Sequence, residues 1–392
     1  MHQMKNYIEI FLTALRLGVT AFGGPVAHLA YFQEEYVKRK KWLSDQAYAD
    51  LVALCQFLPG PASSQVGISV GMVRGGILGG ILAWIGFTLP SVLLLVFFAA
   101  YVLQFDVSQS VWISGLKIVA VAVVAHAVLN MGKKLAPDLP RITIMLLAAV
   151  ALLLFPFSFV QIIIILVAAI VGLWLFKDLT FEEKAPVNIN ISKKVGILSL
   201  TTFTALLIGL PILSQATNVF WLQIVDIFYR VGSLVFGGGH VVLPLLEREL
   251  VPKDLLTEEM FLAGYGAAQA IPGPLFTFSS YLGQVISGLP GAALATLAIF
   301  LPSFLLIIGI LPFWDSISHH PKVRAGLLAV NAAVVGILIA AFYDPIFTSG
   351  INDSIDFAVA LAAFCLLHFW KKPAWLVVIV TVLGYVALKT LL

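Results

Sequence analysis

The chain has 392 residues, 60% of them hydrophobic and only 11% charged, with a formal net charge of +3; its mean hydropathy is +1.02. A water-soluble core cannot absorb that much apolar surface, whereas a bilayer can, so a soluble globular domain is excluded. The positive residues sit mostly in loops, where they report topology rather than nucleic-acid binding. The fold class is an all-α polytopic membrane protein.

Along the chain, Glu9 and Arg16 interrupt the first apolar run and no small-residue cleavage pattern follows, which argues against a cleavable signal. Tyr7–Phe22 is too short to cross comfortably, breaks at Gly23-Gly24-Pro25 and resumes as Val26–Val37. Ala47–Leu58 breaks at Pro59-Gly60-Pro61 and resumes toward Arg74. Each is expected to be a re-entrant helical hairpin whose tip lies near the midplane. Ile77–Phe105, Val111–Met131, Ile142–Phe157 and Phe159–Phe176 follow, each long enough to cross or nearly so. A polar linker, Lys177 to Lys194, leads to a lone crossing at Val195–Leu213. Further on, Ala292–Phe313, Ala325–Phe342, Phe357–Trp370 and Trp375–Leu391 complete the set. Cys55 and Cys365 lie far apart inside apolar segments and read as small core hydrophobes.

The chain repeats itself. Arg16 stands six positions before Phe22-Gly23-Gly24-Pro25, and Arg230 stands six before Phe236-Gly237-Gly238-Gly239. Gln56 precedes Pro59-Gly60-Pro61 as Gln269 precedes Pro272-Gly273-Pro274, and Leu89-Pro90-Ser91 returns as Leu301-Pro302-Ser303. Paired Gly/Pro-interrupted segments in two halves of an apolar chain point to a transporter's binding site. The expected division is residues 1–177 as a first repeat, 178–217 as linker plus connecting helix, and 218–392 as a second repeat. Cytoplasmic loops are enriched in Lys and Arg, which places Lys38-Arg39-Lys40-Lys41 inside. The matching segment, Glu247-Arg248-Glu249 through Glu258-Glu259, is net acidic and is expected outside. The two halves are therefore expected in inverted topology, with the N-terminus inside and the C-terminus outside.

Proline removes a backbone donor and glycine permits a sharp reversal. A helix restarting with Pro61 or Pro274 at its first position aims free N–H groups and its positive dipole end at the protein centre, an anion site. Ser63 and Ser64, and Thr277, Ser279 and Ser280, add hydroxyl donors, and the Gly23-Gly24 and Gly237-Gly238 tips would bring bare backbone equally close. Arg16 and Arg230 carry planar forks suited to a tetrahedral oxyanion, although an arginine in an apolar segment can also snorkel to headgroups. Replacing either by Ala is expected to abolish transport while the protein still folds. His28 and His240 follow the glycines without aligning with each other, so each is a ligand or a packed polar residue. Lys117 pairs with the anion or snorkels, and Glu34 and Glu35 read as surface pairs. Gln65 and Asn331 are weaker candidates; Glu9, Asp50 and Asp226 are the few acids that could couple a proton. No phosphate-binding loop and no metal-ligand spacing is present, which argues against ATP-driven pumping, redox chemistry, cofactors and enzymatic catalysis.

With Phe22–His28, Phe236–His240 and the two Pro-Gly-Pro motifs in hand, the chain resembles the chromate ion transporter family in its long, two-domain form. The second motif runs on through Leu275-Phe276-Thr277-Phe278-Ser279-Ser280, as it usually does in that family, whereas Ala62-Ser63-Ser64-Gln65 follows the first. The resemblance implies export of chromate from the bacterial cytoplasm across the inner membrane, conferring resistance, with sulfate as a competitor. Coupled uptake of sulfate or a related oxyanion, a passive anion channel and a membrane scaffold are the alternatives. The partners implied are the oxyanion and the lipid bilayer, and a homodimer is left open.

Overall fold

The computed structural model describes residues 2–21, 24–105, 111–155, 158–177, 191–236, 241–314 and 321–391. Every regular element among them is helical. The first half contains α1 (His2–Thr20), α2 (Gly24–Phe32, continued as a wider turn at Gln33–Arg39), α3 (Asp45–Phe57), α4 (Ala62–Phe105), α5 (Val111–Leu135), α6 (Leu139–Leu154) and α7 (Ser158–Leu175). A single helix, α8 (Lys193–Thr217), leads into the second half. There follow α9 (Phe220–Leu234), α10 (Val242–Leu250), α11 (Glu258–Ala270), α12 (Phe278–Ile310), α13 (Pro321–Ala341), α14 (Ser354–His368) and α15 (Ala374–Leu391). Each of the nine apolar runs expected from sequence has most of its described residues on a helix. Among the described residues, six helices are long and apolar enough to cross a membrane, and α6, α7 and α14 are shorter apolar helices.

The local chemistry repeats with the order. Ser44 caps α3 by accepting from the Ala47 N–H, and Thr257 caps α11 from the Met260 N–H, each filling an orphan donor of the first turn. Within α4, Gly75 and Gly76 have (φ, ψ) of (−144°, 22°) and (64°, −162°); within α12, Ser287 and Gly288 have (−154°, 26°) and (68°, −161°). A Cβ at Gly71 would collide with the Gly79 carbonyl, and one at Gly283 with the Gly291 carbonyl. Residues eight apart in a straight helix lie about 12 Å apart, so the chain doubles back at both breaks. The longer arms are 77–105 and 289–310, and Arg74 stands at the first turn.

Equivalent glycines then seat equivalent helices. Gly18 of α1 lies on the Phe87 carbonyl, and Gly232 of α9 lies on that of Ile299, each too close for a side chain. The later helices are exchanged between halves: α5 packs on α14 and α15, while α13 packs on α6 and α7. The largest buried cluster accordingly draws on both halves, from Leu95 and Val124 to Phe276, Phe300 and Val334. Helix α8 has no counterpart and lies against α9 and α12, where Ser199 donates to the Leu305 carbonyl at 2.8 Å.

Candidate functional site

Both Pro-Gly-Pro segments form sharp reversals that only glycine tolerates, with φ +116° at Gly60 and +99° at Gly273. Neither reversal is completed within its own half. The Gly60 N–H donates to the Val235 carbonyl at 2.6 Å, and the Gly273 N–H donates to the Ala21 carbonyl at 3.0 Å. Ala21 and Val235 are equivalent residues, each just before its own Phe-Gly-Gly tip. Each tip also rests on the other half's Leu-Pro-Ser. A Cβ on Gly60 would sit 2.8 Å from Ser303 Oγ, and one on Gly273 would sit 2.7 Å from Ser91 Oγ. The two tips are thus crossed, and the same contacts are made twice.

Sequence places Pro61 and Pro274 at the first helical position; each instead stands just before it. The Pro61 carbonyl accepts the Gln65 N–H at 2.9 Å and α4 starts at Ala62, while Pro274 precedes a 3₁₀ turn at Leu275–Thr277 and α12 proper starts at Phe278. The hydroxyls divide into two groups. Thr277 donates to the Pro274 carbonyl at 2.6 Å and Ser280 to that of Thr277 at 2.7 Å, so neither is a spare donor in this state. Ser64 Oγ and Ser279 Oγ are buried with no partner, as are His28 Nε2, Gln65 Oε1 and Gln269 Nε2. Unpaired buried polar atoms are rare and call for a reason, of which a transient ligand is one.

His28 is 1% exposed, its Nδ1 is 3.4 Å from Ser63 Oγ, and its ring meets Phe87 edge-on. It therefore belongs to the buried surroundings of the Gly273 tip, which Phe87 and Ser91 also line. Gln65 donates to the Pro59 carbonyl at 2.7 Å and lies 3.4 Å from Ser303 Oγ, which makes it a brace for the Gly60 tip rather than a remote candidate. Pro272 is buried beside Gly273. Gly24 opens α2 at φ +77° with Pro25 next, where a missing N–H is harmless. Gly23, Gly237, Gly238 and His240 lie outside the described residues. Lys117 is half-buried on α5, with its carbonyl near Gly350; among the described residues it makes no ion pair.

The arginines are not bare anion ligands. Arg230 pairs with Asp226 at 3.0 Å and Glu249 at 2.5 Å, and Glu249 pairs again with Lys253 at 2.9 Å. Arg16 lies 3.9 Å from Glu35, which also pairs with Arg39 at 3.2 Å. One offset relates Arg16 to Arg230, Glu35 to Glu249 and Arg39 to Lys253, so the ion triad is duplicated too. Glu35 therefore corrects its reading as a surface residue: its side chain is 10% exposed, whereas Glu34 forms the expected exposed pair with Lys38 at 3.1 Å. The triad is legible in the common offset, but separately its arginines read as anion ligands, Glu35 as a surface pair and the other members as loop charges. Glu9 likewise bonds Lys40 at 2.9 Å. No group of three potential metal ligands is found among the described residues.

Beside this second triad, in the acidic segment read as extramembranous, burial pushes the Glu247 carboxyl up to about 7 from 4.5; Arg248 opposes the shift, while Glu258 and Asp344 add to it. A carboxyl raised on folding stabilises the fold when protonated, so stability should rise as pH falls from about 7 toward 4.5. Thermal unfolding across that window should be flatter for Glu247→Gln; an unchanged slope would assign the dependence to another group.

Comparison with known proteins follows the same two-part pattern. A family model described as chromate transporter matches residues 8–173 and 222–385. An uncharacterized transporter of Methanocaldococcus jannaschii is 30% identical over 391 residues, covering 97% of this chain and 94% of that protein. A chromate transport protein of Pseudomonas aeruginosa is 28% identical, covering 97% and 91% respectively. Another, from Cupriavidus metallidurans, is 28% identical, covering 93% and 88%. No solved structure matches.

Proposed function

This chain belongs to the chromate transporter family, and on that premise we propose that it is a secondary transporter exporting chromate across the bacterial cytoplasmic membrane. The crossed Pro-Gly-Pro tips carry this reading. Each ties a helix start to the opposite half, and Ser64, Ser279 and His28 keep buried polar atoms without partners. Backbone N–H groups and hydroxyls suit a tetrahedral oxyanion that must shed its water. Pro59, Gly60, Pro61 and Ser63 would shape one side, and Pro272, Gly273, Pro274 and Thr277 the other. The reciprocal contacts support two repeats, residues 1–177 and 218–392, joined through 178–217, and the loop charges support their inversion with re-entrant hairpins.

Membrane potential would suffice as the driving force. Moving one charge is worth about 2.3 kcal/mol per 100 mV, so a dianion leaving a negative interior gains roughly twice that. Uptake would have to overcome the same amount through a coupled cation. The test is flux in liposomes: purified protein, chromate loaded inside, an imposed potential and no proton gradient. Chromate should leave when the outside is positive, and excess sulfate should slow it by competing for the same donors. No movement under any gradient would overturn the reading.

A further inference from the structure

The two arginine triads are one constellation held in two states. Around Arg16 the contact is loose: its guanidinium is 3.9 Å from Glu35 and 57% exposed. Around Arg230 it is tight: 2.5 Å from Glu249 and 19% exposed. The first triad opens onto a cavity of about 590 Å³ whose charged lining is Lys5, Glu9, Arg16, Glu35, Arg39 and Lys40. The space beside Arg230 is about 20 Å³. Of the charge differences between the repeats, one falls directly beside the arginine. Asp226 stands one turn before Arg230 and bonds it, whereas its equivalent, Leu12, is an exposed apolar residue in the wall of the open cavity. The second group is therefore balanced, with Arg230 and Lys253 against Asp226 and Glu249. Arg248, which also borders it, faces Glu247 and Asp344. The first triad, Arg16 and Arg39 against Glu35, carries a net positive charge, and the other charged groups on its cavity, Lys5, Lys40 and Glu9 with Arg74 at 4.0 Å, keep that lining positive, as an anion requires.

We propose that the two triads are reciprocal gates, and that the Arg16 triad, open here, is where a tetrahedral dianion is first held before it reaches the tips. The ligand rests on the oxyanion-carrier reading; the gating does not. An anion held between Arg16 and Arg39 competes with Glu35 for both. Once it moves inward, Arg16 is free to close on Glu35 as Arg230 closes on Glu249, and a gate that alternates requires the other triad to loosen in turn. Asp226 biases the resting state by locking the second gate, because a carboxylate one turn before an arginine on a helix pairs with it. Leu12→Asp should supply the missing lock to the first.

The experiment uses the full chain with Cys55 and Cys365 replaced by Ala, in discs of zwitterionic lipid, where a water-soluble maleimide reaches both faces and no net-negative headgroup competes. Ile8→Cys reports the open cavity and Leu234→Cys the closed one. Ile8→Cys should label several-fold faster than Leu234→Cys. Leu12→Asp should slow the first and speed the second, and Asp226→Asn should do the same by releasing the second lock. Since Leu12 is exposed, its variant keeps the test available even if Asp226→Asn fails to fold. Chromate or sulfate, but not chloride at equal ionic strength, should protect Ile8→Cys. Labelling that changes only on the substituted side overturns the gates, and labelling blind to both oxyanions overturns the Arg16 triad as the site that holds the dianion. Chromate flux in liposomes without reciprocal labelling sinks the gates and spares the carrier. Reciprocal labelling without flux supports the gates and sinks the carrier.

Discussion

Gly273→Ala and Gly60→Ala should each lower the initial rate of chromate flux by at least about tenfold, the equivalent of about 1.4 kcal/mol on the transport barrier. Two effects add. The backbone at φ +99° and +116° is a region that side chains adopt only under strain, of order 1–3 kcal/mol. The new methyl group would also meet Ser91 Oγ at 2.7 Å or Ser303 Oγ at 2.8 Å, so the tip must retreat from the opposite half. That retreat lengthens Gly273 N–H to Ala21 or Gly60 N–H to Val235, and the reacting geometry of both tips goes with it. The contrast is internal. A Cβ at Gly209 or Gly384, both in helices, meets nothing within 4 Å, and alanine there should leave flux unchanged and stabilise its helix slightly. Flux preserved at Gly60→Ala and Gly273→Ala alike would make the reversals mere kinks.

Arg230→Ala should destabilise the protein by about 3–5 kcal/mol, and Arg16→Ala by no more than about 1 kcal/mol. The two residues are equivalent in the repeat but not in their surroundings. Removing Arg230 leaves Asp226 and Glu249 facing each other in a half-dry site, with only the exposed Lys253 as a countercharge. Removing Arg16 leaves Glu35 bonded to Arg39 beside open solvent. This revises the sequence-based expectation that both variants would fold. Thermal melts in detergent should show a large drop for the first and little change for the second. Adding Asp226→Asn and Glu249→Gln to Arg230→Met should recover most of the loss, which a purely steric defect would not allow. Equal melting temperatures for Arg16→Ala and Arg230→Ala would mean that the charge balance around Arg230 carries no stability.

Much of the architecture was legible because a bilayer enforces simple rules. Apolar runs became helices because no other structure satisfies backbone groups in lipid without closing a barrel. The breaks at Pro59-Gly60-Pro61 and Pro272-Gly273-Pro274 were readable because proline and glycine punctuate by covalent geometry alone. What sequence did not reveal is contact between halves. Nothing local to Gly60 announces Val235 or Ser303, and nothing local to Gly273 announces Ala21 or Ser91. Neither chain reversal, at Gly75-Gly76 or at Ser287-Gly288, is singled out in the sequence, because glycines inside long apolar runs are common and only the backbone angles set these apart. Four candidate residues at the glycine tips, Gly23, Gly237, Gly238 and His240, keep the standing that sequence alone gives them.

The crossed hydrogen bonds also set a timetable for biogenesis. When residue 60 has left the ribosome, its N–H acceptor at Val235 has not been made, and the Ala21 carbonyl waits for Gly273. At synthesis rates of about 5–20 residues per second, those waits last roughly ten to fifty seconds. Throughout them the nascent first half carries unmatched backbone groups and the unclaimed faces of α5, α6 and α7. A chain in that condition is open to misassembly, and its most vulnerable moment falls before translation ends.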